Sequence, residues 1–294
     1  MSRSGLLIID KPAGMTSHDV VAKLRKVCKT KRVGHGGTLD PMATGLLIIG
    51  VEAGTKALQF VSAASKTYDA SICLGVSTHT DDAEGDVISR EDASSVSDEQ
   101  IRAGLAAMVG EIDQVPSSVS AIKVDGQRAY DRVRAGESVE LASRRVTVFR
   151  IDVHGIHRAS DTIHVDVTVE CSSGTYIRAI ARDLGRELGV GGHLTSLRRT
   201  EACGYTVAEA RQWDEVGLEP LPLRQALTPF MSEVRVAHDE LPKVFNGLNL
   251  PWIWNPVAGP VMVIDDSTDT LLAIGFESAG QLKYHSVFNQ GLAD

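Results

Sequence analysis

The chain has 294 residues, and a hydrophobic content of 43% supplies a sizeable core and excludes wholesale disorder. No uncharged apolar run approaches the roughly 20 residues needed to cross a bilayer, and the four cysteines include no CxxC pair, which favours reduced cytosolic thiols over a disulfide framework. The formal net charge of −8 argues against a polyanionic partner.

The first predicted elements surround a glycine-rich loop. Residues 5–10 predict a strand and not a signal peptide, because the apolar run ends in Asp-Lys-Pro. Ser17 is the expected N-cap of a helix whose apolar residues recur at a spacing of 3.6 over residues 20–28. The loop, residues 33–45, leads into an apolar strand at residues 46–51.

The middle of the chain mixes strand and helix patterns. Residues 68–74 alternate apolar and polar side chains, Ser97 is expected to cap a helix, and residues 162–170 follow a period of two. A helix is predicted at residues 176–188, where arginines recur every four residues opposite an apolar stripe. Because no regular βαβ rhythm is present, the predicted fold class is α+β with a mixed sheet.

Composition changes after the proline-dotted residues 219–229. The chain beyond them suggests a small β-rich domain, with strands at residues 261–265, 271–277 and 282–288. The predicted domains are therefore residues 1–229 and residues 230–294.

Charge is distributed unevenly along the chain. Residues 1–60 carry nine Lys and Arg against four Asp and Glu, whereas residues 201–294 carry five against thirteen. A positive face on an acidic molecule is compatible with phosphate binding. Ordinary solvated charge explains the same distribution equally well.

The glycine-rich loop holds the first candidate for chemistry. Four glycines and a proline specify turns, and Pro41 restrains Asp40 to an extended backbone. No GK[ST] follows the glycines and no GxGxxG is present, which disfavours a nucleotide-binding loop. On pattern alone, an Asp-Pro turn is more typical of structure than of catalysis.

Several other residues permit two interpretations. His35 is typical of a turn, Tyr68 of a core aromatic and Leu197 of plain core. Tyr176 and Arg178 open a helix after a Ser-Ser-Gly-Thr turn, which is either an anion site or a solvated arginine face. The histidines form no HExxH motif, which disfavours a metal site.

Seven segments, taken in order, are more specific than any one of these features. They are DKPAGMTS (10–17), GHGGTLDPMATG (34–45), KTY (66–68), TDDAEG (80–85), VPSSVSAIK (115–123), SGTYIR (173–178) and GHLTSLRR (192–199). In order and spacing they resemble the bacterial tRNA pseudouridine-55 synthases of the TruB type.

The resemblance implies an enzyme that isomerises one uridine in the TΨC arm of tRNA, breaking N1–C1′ and forming C5–C1′. It implies that Asp40 is the nucleophile and that Arg178 is its partner, which would keep Asp40 ionised by lowering its pKa. Whether the carboxylate attacks C1′ or C6, or removes a ribose proton, stays open. The resemblance implies no cofactor and no metal.

The remaining site residues are also implied by the resemblance. Tyr68 would lie against the flipped uracil and could help remove the C5 proton. Tyr176 and Leu197 would wall the pocket and exclude water. His35 would contact the RNA beside the flipped nucleotide.

The resemblance further implies a fold and partners. It indicates a largely antiparallel mixed sheet with flanking helices, the pseudouridine-synthase fold, followed by a small PUA-like domain. It also indicates an RNA-gripping insertion at about residues 115–143, with basic residues Lys123, Arg128, Arg132 and Arg134. The expected partner is tRNA, and the protein is expected to be a cytoplasmic monomer with no membrane and no obligate protein partner.

Two other functions are compatible with parts of the pattern. A non-catalytic tRNA-binding or folding factor of the same fold is disfavoured by the joint presence of Asp40, Tyr68 and Arg178. A nucleotide-metabolising enzyme is disfavoured by the missing phosphate-loop lysine.

Overall fold

A computed structural model describes residues 4–117, 123–124, 127–128, 142–215 and 217–288. Its strands are β1 (Gly5–Lys11), β2 (Val33–His35), β3 (Thr44–Val51), β4 (Lys66–Leu74), β5 (Val76–Thr78), β6 (Val87–Arg90), β7 (Gly110–Gln114), β8 (Lys123–Val124), β9 (Gln127–Arg128), β10 (Arg144–Ala159), β11 (Thr162–Cys171), β12 (Gly192–Ala202), β13 (Tyr205–Thr206), β14 (Ser232–Val236), β15 (Leu250–Pro251), β16 (Val261–Asp265), β17 (Leu271–Ser278) and β18 (Gln281–Val287).

Helices are fewer than strands among the described residues. The α-helices of the described residues are α1 (Ser17–Val27), α2 (Leu58–Ala63), α3 (Asp98–Ala107), α4 (Ile177–Glu187), α5 (Leu223–Leu227) and α6 (Leu241–Phe245), and 3₁₀ helices lie at Glu52–Ala57, Val207–Glu209 and His238–Glu240. Within the same residues, no helix has the length and apolar character needed to span a membrane.

Nine of the described strands form one sheet. Its order is β1-β3-β12-β4-β11-β10-β7, with β2 paired to β3 and β13 paired to β12. Strands β3 and β12 run parallel, with Thr44 opposite Arg198 and Gly45 opposite Arg199. The neighbouring pairs β1–β3, β12–β4, β4–β11, β11–β10 and β10–β7 are antiparallel. The predicted α+β class with a mixed, largely antiparallel sheet is confirmed.

The main core lies between this sheet and three helices. In β11 the predicted period of two is observed, because alternate residues from Ile163 to Val169 are buried. They pack in one cluster with the apolar stripes of the helices, namely Val20, Val21 and Leu24 of α1, Ile101 and Leu105 of α3, and Ile180 and Leu184 of α4. Leu39 of the glycine-rich loop and Ile177 at the start of α4 belong to the same cluster, so the core anchors both segments.

Strands β1 and β3 are buried on both faces, which explains their continuous apolar runs. Their helix-side residues, such as Ile9 and Ile49, belong to the main core. Their other face joins a second core, which we call the shared layer; it includes Leu6, Ile8, Leu46 and Ile48 together with Met262, Ile264 and Ile274.

The second sheet supplies the other side of the shared layer. Its order is β14-β16-β17-β18-β15, and β16, β17 and β18 are the three strands predicted from the sequence. The Lys56 ammonium donates to the Val287 carbonyl over 2.9 Å, next to the layer. The division at residues 229 and 230 stays a prediction, and the second sheet begins at Ser232.

The N-cap of α1 differs from the prediction. Thr16, not Ser17, caps the helix, and it forms a reciprocal capping box with Asp19. Ser17 is already helical and buried, and its hydroxyl accepts from the Leu39 amide (2.8 Å) and donates to the Leu39 carbonyl (3.1 Å). The first turn of α1 is therefore tied to the glycine-rich loop.

Two further expectations change on the structure. A solvated arginine face on α4 is wrong for Arg178, which is buried, while Arg186 is exposed. Residues 192–202 form strand β12, which the sequence did not predict because its buried positions include His193 and Arg199 and so break the apolar period. Helix α4 ends at Glu187 with Leu188 as its C-cap, close to the predicted end at residue 188, and Gly189 follows with a positive φ of 74°.

Replacing Ser17 by Ala tests the link between α1 and the loop. We expect a loss of about 1–3 kcal/mol in unfolding free energy, because the buried amide and carbonyl of Leu39 lose their partner. Thr16→Ala is the matched control: it removes one cap, costing about 1 kcal/mol, without touching the loop. Urea unfolding measures both, and an unchanged unfolding free energy in the Ser17→Ala variant would contradict the assigned role of Ser17.

Candidate active site

The glycine-rich loop connects β2 to β3 and places Asp40 at its centre. Gly37 and Gly45 have φ values of 102° and 98°, which residues other than glycine rarely adopt. A Cβ at Gly45 would also collide with the Arg199 backbone on β12. The loop can therefore pass this close to β12 only with glycine at that position.

The buried side chain of Lys11 anchors the glycine-rich loop through the Pro41 carbonyl. Lys11, at the end of β1, donates from its ammonium group to the carbonyls of Met15 (2.6 Å), Pro12 (2.8 Å) and Pro41 (3.3 Å). Burial lowers the pKa of Lys11 to about 8, and the Asp40 carboxylate opposes that decrease. The sequence marked this lysine only as part of a motif.

Asp40 pairs with Arg178 through two contacts. The Arg178 Nε lies 3.0 Å from Asp40 Oδ2, and Nη2 donates to Oδ1 over 3.1 Å. Arg178, 4% exposed, is itself fixed by the Thr80 carbonyl at 2.7 Å and by the Asp82 carboxylate at 3.3 Å. A bidentate guanidinium–carboxylate pair fixes orientation as well as charge.

The pKa of Asp40 departs from the expectation drawn from the resemblance. One third of the Asp40 side chain is exposed, and Asp40 lines a cavity in the protein surface. Desolvation there raises the pKa of the carboxyl above its ordinary value; Arg178 opposes the rise and the Asp82 carboxylate adds to it. The expected lowering by Arg178 is thus outweighed by burial, and the role of Arg178 in orientation stands on its geometry.

The cavity has a volume of about 250 Å³. Five of the six residues proposed from the sequence line it: Asp40, Tyr68, Tyr176, Arg178 and Leu197. Other lining side chains include Lys66 and Arg199, which sequence patterns alone did not single out. Loops and strands that are distant in sequence thus line one small cavity that contains charged side chains.

His35 lies outside the residues that line this cavity. It sits on β2 opposite Ile49, where burial and the nearby Arg199 charge lower the pKa of its imidazole. Among the residues that the structure describes, its Nδ1 atom has no hydrogen-bond partner. The structure therefore separates His35 from the group around Asp40.

Tyr176 is positioned through its main chain. It is the N-cap of α4, and its amide donates to Gln114 Oε1 over 2.8 Å while its carbonyl accepts from Gln114 Nε2 over 3.1 Å. Gln114 is buried at the end of β7. No sequence pattern predicts the role of Gln114, because a lone polar residue at a strand end gives no periodic signal.

A second, more open groove of about 640 Å³ adjoins the cavity at Leu197. Its lining includes Met42, Thr44, Glu84, His154 and Arg198. Arg198 forms a bidentate pair with Asp10 at 2.8 and 3.1 Å. The groove gives an extended ligand a path to the cavity mouth.

The structure bears differently on the predicted basic insertion and on the predicted absence of a metal site. The basic insertion at about residues 115–143, with Lys123, Arg128, Arg132 and Arg134, falls mostly outside the described residues; the side chains of those four are not described. Across the part of the chain that the structure describes, no group of three or more His, Cys, Asp or Glu side chains is arranged to hold a metal ion.

Comparisons with known proteins place this arrangement in context. Residues 25–177 match the TruB family of pseudouridylate synthases, N-terminal domain. The tRNA pseudouridine synthase B of Arthrobacter sp. (strain FB24) is 55% identical over 248 residues, covering 83% of this chain and 81% of that protein. That of Paenarthrobacter aurescens (strain TC1) is 48% identical over 284 residues, covering 95% and 89%.

Solved structures share the fold at lower identity. An H/ACA RNP bound to a substrate RNA containing 2′-deoxyuridine superposes with a TM-score of 0.69 at 23% identity, covering 98% of this chain and 86% of that one. A Cbf5-Nop10-Gar1 complex gives a TM-score of 0.68 at 25% identity, covering 96% and 84%. The superposition extends over nearly the whole chain.

Asp82→Asn is expected to lower the pKa of Asp40, because it removes a neighbouring negative charge and leaves Arg178 to Asp40 alone. Arg178→Met is expected to raise it. Asp81→Asn is the matched control, since Asp81 pairs with Arg182 instead. Carboxyl ¹³C NMR titration, with the Asp40 signal assigned from Asp40→Asn, measures all three. Equal shifts in D82N and D81N would contradict this electrostatic account.

Proposed function

Since the chain belongs to the TruB family of pseudouridylate synthases and isomerises uridine in tRNA to pseudouridine, we propose that uridine 55 of the TΨC arm is its target and Asp40 its nucleophile. The observation that carries the proposal is the Asp40–Arg178 pair at the wall of a small cavity. The pair with Arg178 fixes the orientation of the Asp40 carboxylate at the cavity wall, where it would contact a bound nucleotide.

The size of the cavity supports a single base as the ligand. Its volume of about 250 Å³ lies below the ~300–1,000 Å³ of pockets for drug-sized ligands. A uridine stacked inside the TΨC arm would have to leave its stack to reach Asp40. Extrusion costs a few kcal/mol, and stacking on an aromatic side chain returns ~1–3 kcal/mol per base.

The reaction breaks the N1–C1′ bond and forms C5–C1′, with one proton moved from C5 to N1 overall. Asp40 would act as the nucleophile and leave again when C5 is joined to the ribose. The alternatives of attack at C1′, attack at C6 and removal of a ribose proton all use the same carboxylate. Arg178 would hold that carboxylate in one orientation throughout.

The other lining residues have separable roles in this proposal. Tyr68 would lie against the uracil and take the C5 proton, and its buried position puts its hydroxyl inside the cavity wall. Tyr176 and Leu197 would close the cavity against water, so that detached uracil is retained. His35, which lies outside the cavity, would instead contact RNA beside the extruded nucleotide.

The rest of the tRNA would be held by charge. Exposed Lys26, Lys29 and Lys31 lie at the end of α1 and in the turn that follows, within the positive N-terminal segment. Together with the insertion at about residues 115–143, they would contact phosphates. We propose that the protein acts in this way in the cytoplasm, as a monomer without an obligate protein partner.

Asp40→Asn tests the catalytic assignment. We expect tRNA binding to be retained and pseudouridine formation to fall by about 10³-fold or more, because shape is kept and the nucleophile is lost. Asp69→Asn, which changes a carboxylate in the adjoining groove, should retain most of the activity. Mapping pseudouridine in a tRNA transcript after single turnover gives both results. Wild-type protein that binds tRNA without modifying it would support the non-catalytic binding factor instead.

Neutralising the three exposed lysines tests the electrostatic contact. Alanine at Lys26, Lys29 and Lys31 together should weaken tRNA binding and reduce the slope of log K against log salt by about 2–3. Lys243→Ala is the control, because that lysine pairs with Glu240 in the acidic C-terminal part of the chain. Binding titrations at several salt concentrations measure the slope, and an unchanged slope in the triple variant would exclude these phosphate contacts.

A further inference from the structure

Arg199 is a buried cation in the cavity wall that has no part in the functions described so far. It lies on β12 and is 1% exposed. Its Nε donates to the Leu46 carbonyl over 2.7 Å, and its Nη2 donates to the Gly37 carbonyl over 3.1 Å. Its Nη1 donates to the Tyr68 hydroxyl at 3.5 Å. Two edges of the guanidinium are thus fixed by the main chain, and a third faces a side chain.

The surroundings of this guanidinium leave its charge uncompensated. Among the residues that the structure describes, its hydrogen-bond partners are two carbonyl oxygens and one hydroxyl oxygen, not a carboxylate. A buried cation without a counter-ion costs stability. An apolar side chain would fill such a position at lower cost, so a purely packing role does not explain a charge here.

The other two cations of the cavity are engaged elsewhere. Arg178 pairs with Asp40 and Asp82. Lys66 directs its ammonium group to the carbonyls of Ser62 (3.0 Å) and Ala64 (2.6 Å). Within the described cavity wall, Arg199 is therefore the cation that reaches the Tyr68 hydroxyl. Its guanidinium also lies 5.8 Å from the centre of the Tyr68 ring.

A phenol in this position needs such a neighbour if it is to accept a proton. Burial raises the pKa of Tyr68, which favours the neutral phenol, and the Arg199 charge is the largest influence in the opposite direction. A fixed guanidinium favours the phenolate without having to reorient.

We propose that Arg199 is a positioning residue for Tyr68, holding its hydroxyl in the cavity wall and stabilising the phenolate that accepts the C5 proton. The inference rests on the proposed function. In the step, the C5–H bond breaks and its proton bonds to the Tyr68 oxygen, while the electron pair stays in the ring. N1 takes a proton from solvent, and loss of the phenol proton to solvent restores the phenolate, so one proton moves from C5 to N1 overall.

The contact with Gly37 gives Arg199 a second effect that the experiment must separate. Gly37 lies three residues before Asp40, so loss of the guanidinium also loosens the loop that carries the nucleophile. A variant that is merely slow would not distinguish the two effects. A readout specific to the acidity of the phenol is required.

The experiment combines Arg199 variants with 3-fluorotyrosine at position 68, a more acidic phenol. Single-turnover pseudouridine formation is followed against pH with saturating enzyme. We expect Arg199→Met to slow the reaction by about 100-fold. In the plot of rate against pH, the rise that reports formation of the phenolate should move to higher pH. Fluorotyrosine should restore much of the rate and return this rise to lower pH. Arg199→Lys keeps a positive charge, so its rate should fall between those of the wild type and Arg199→Met. It replaces the Met variant if that variant does not fold.

Two controls make the outcomes distinct. Arg199→Lys should slow the Tyr68→Phe variant less than it slows the wild type, because only its effect through the Gly37 contact remains once the phenol is gone. Additive losses in the double variant, or no rescue by fluorotyrosine with an unmoved pH profile, would overturn the inference while leaving the proposed function intact. A wild-type enzyme without activity would overturn the proposed function, and a fully active Tyr68→Phe would overturn the proton step on which this inference depends.

Discussion

The buried pair between Asp40 and Arg178 is the interaction on which the rest of the site depends. A largely desolvated carboxylate is costly to ionise, and desolvation raises the pKa of Asp40. The guanidinium offsets this cost only because it is held rigidly by the Thr80 carbonyl and by Asp82. Three segments far apart in sequence must therefore meet: the glycine-rich loop, the Thr80 turn and the start of α4.

Buried polar side chains hold the main chains of the glycine-rich loop and of the start of α4 in place. Lys11 supports the loop from β1 and Ser17 ties it to α1, each by bonds to main-chain carbonyls or amides. Gln114 does the same for Tyr176 at the start of α4. Buried polar side chains thus act as connectors between loops, and each one satisfies backbone groups that water cannot reach.

The sequence predicts the elements that hydrophobic burial specifies better than it predicts the buried polar side chains that connect the loops. Period-two and continuous apolar patterns predicted strands such as β3, β11 and β16–β18, because hydrophobic burial alone specifies them. The cavity residues Asp40 and Arg178 were accessible through motif resemblance. Lys11 and Arg199 lie inside the resembling segments and Gln114 lies outside them, but the role of none of the three was predicted. A single buried polar residue has no period, and its partners are distant in sequence. Strand β12 was missed for the same reason.

The shared layer bears on how the molecule melts. Leu46 and Ile48 lie on β3, the strand into which the Asp40 loop runs, and they pack with Met262 and Ile264 of the second sheet. Detaching that sheet would expose both faces of the layer to water, at roughly 25 cal/mol per Å² of apolar surface. Two sheets joined in this way gain little from separate unfolding. We therefore expect a single cooperative transition, in which heat unfolds the Asp40 loop and the C-terminal sheet together.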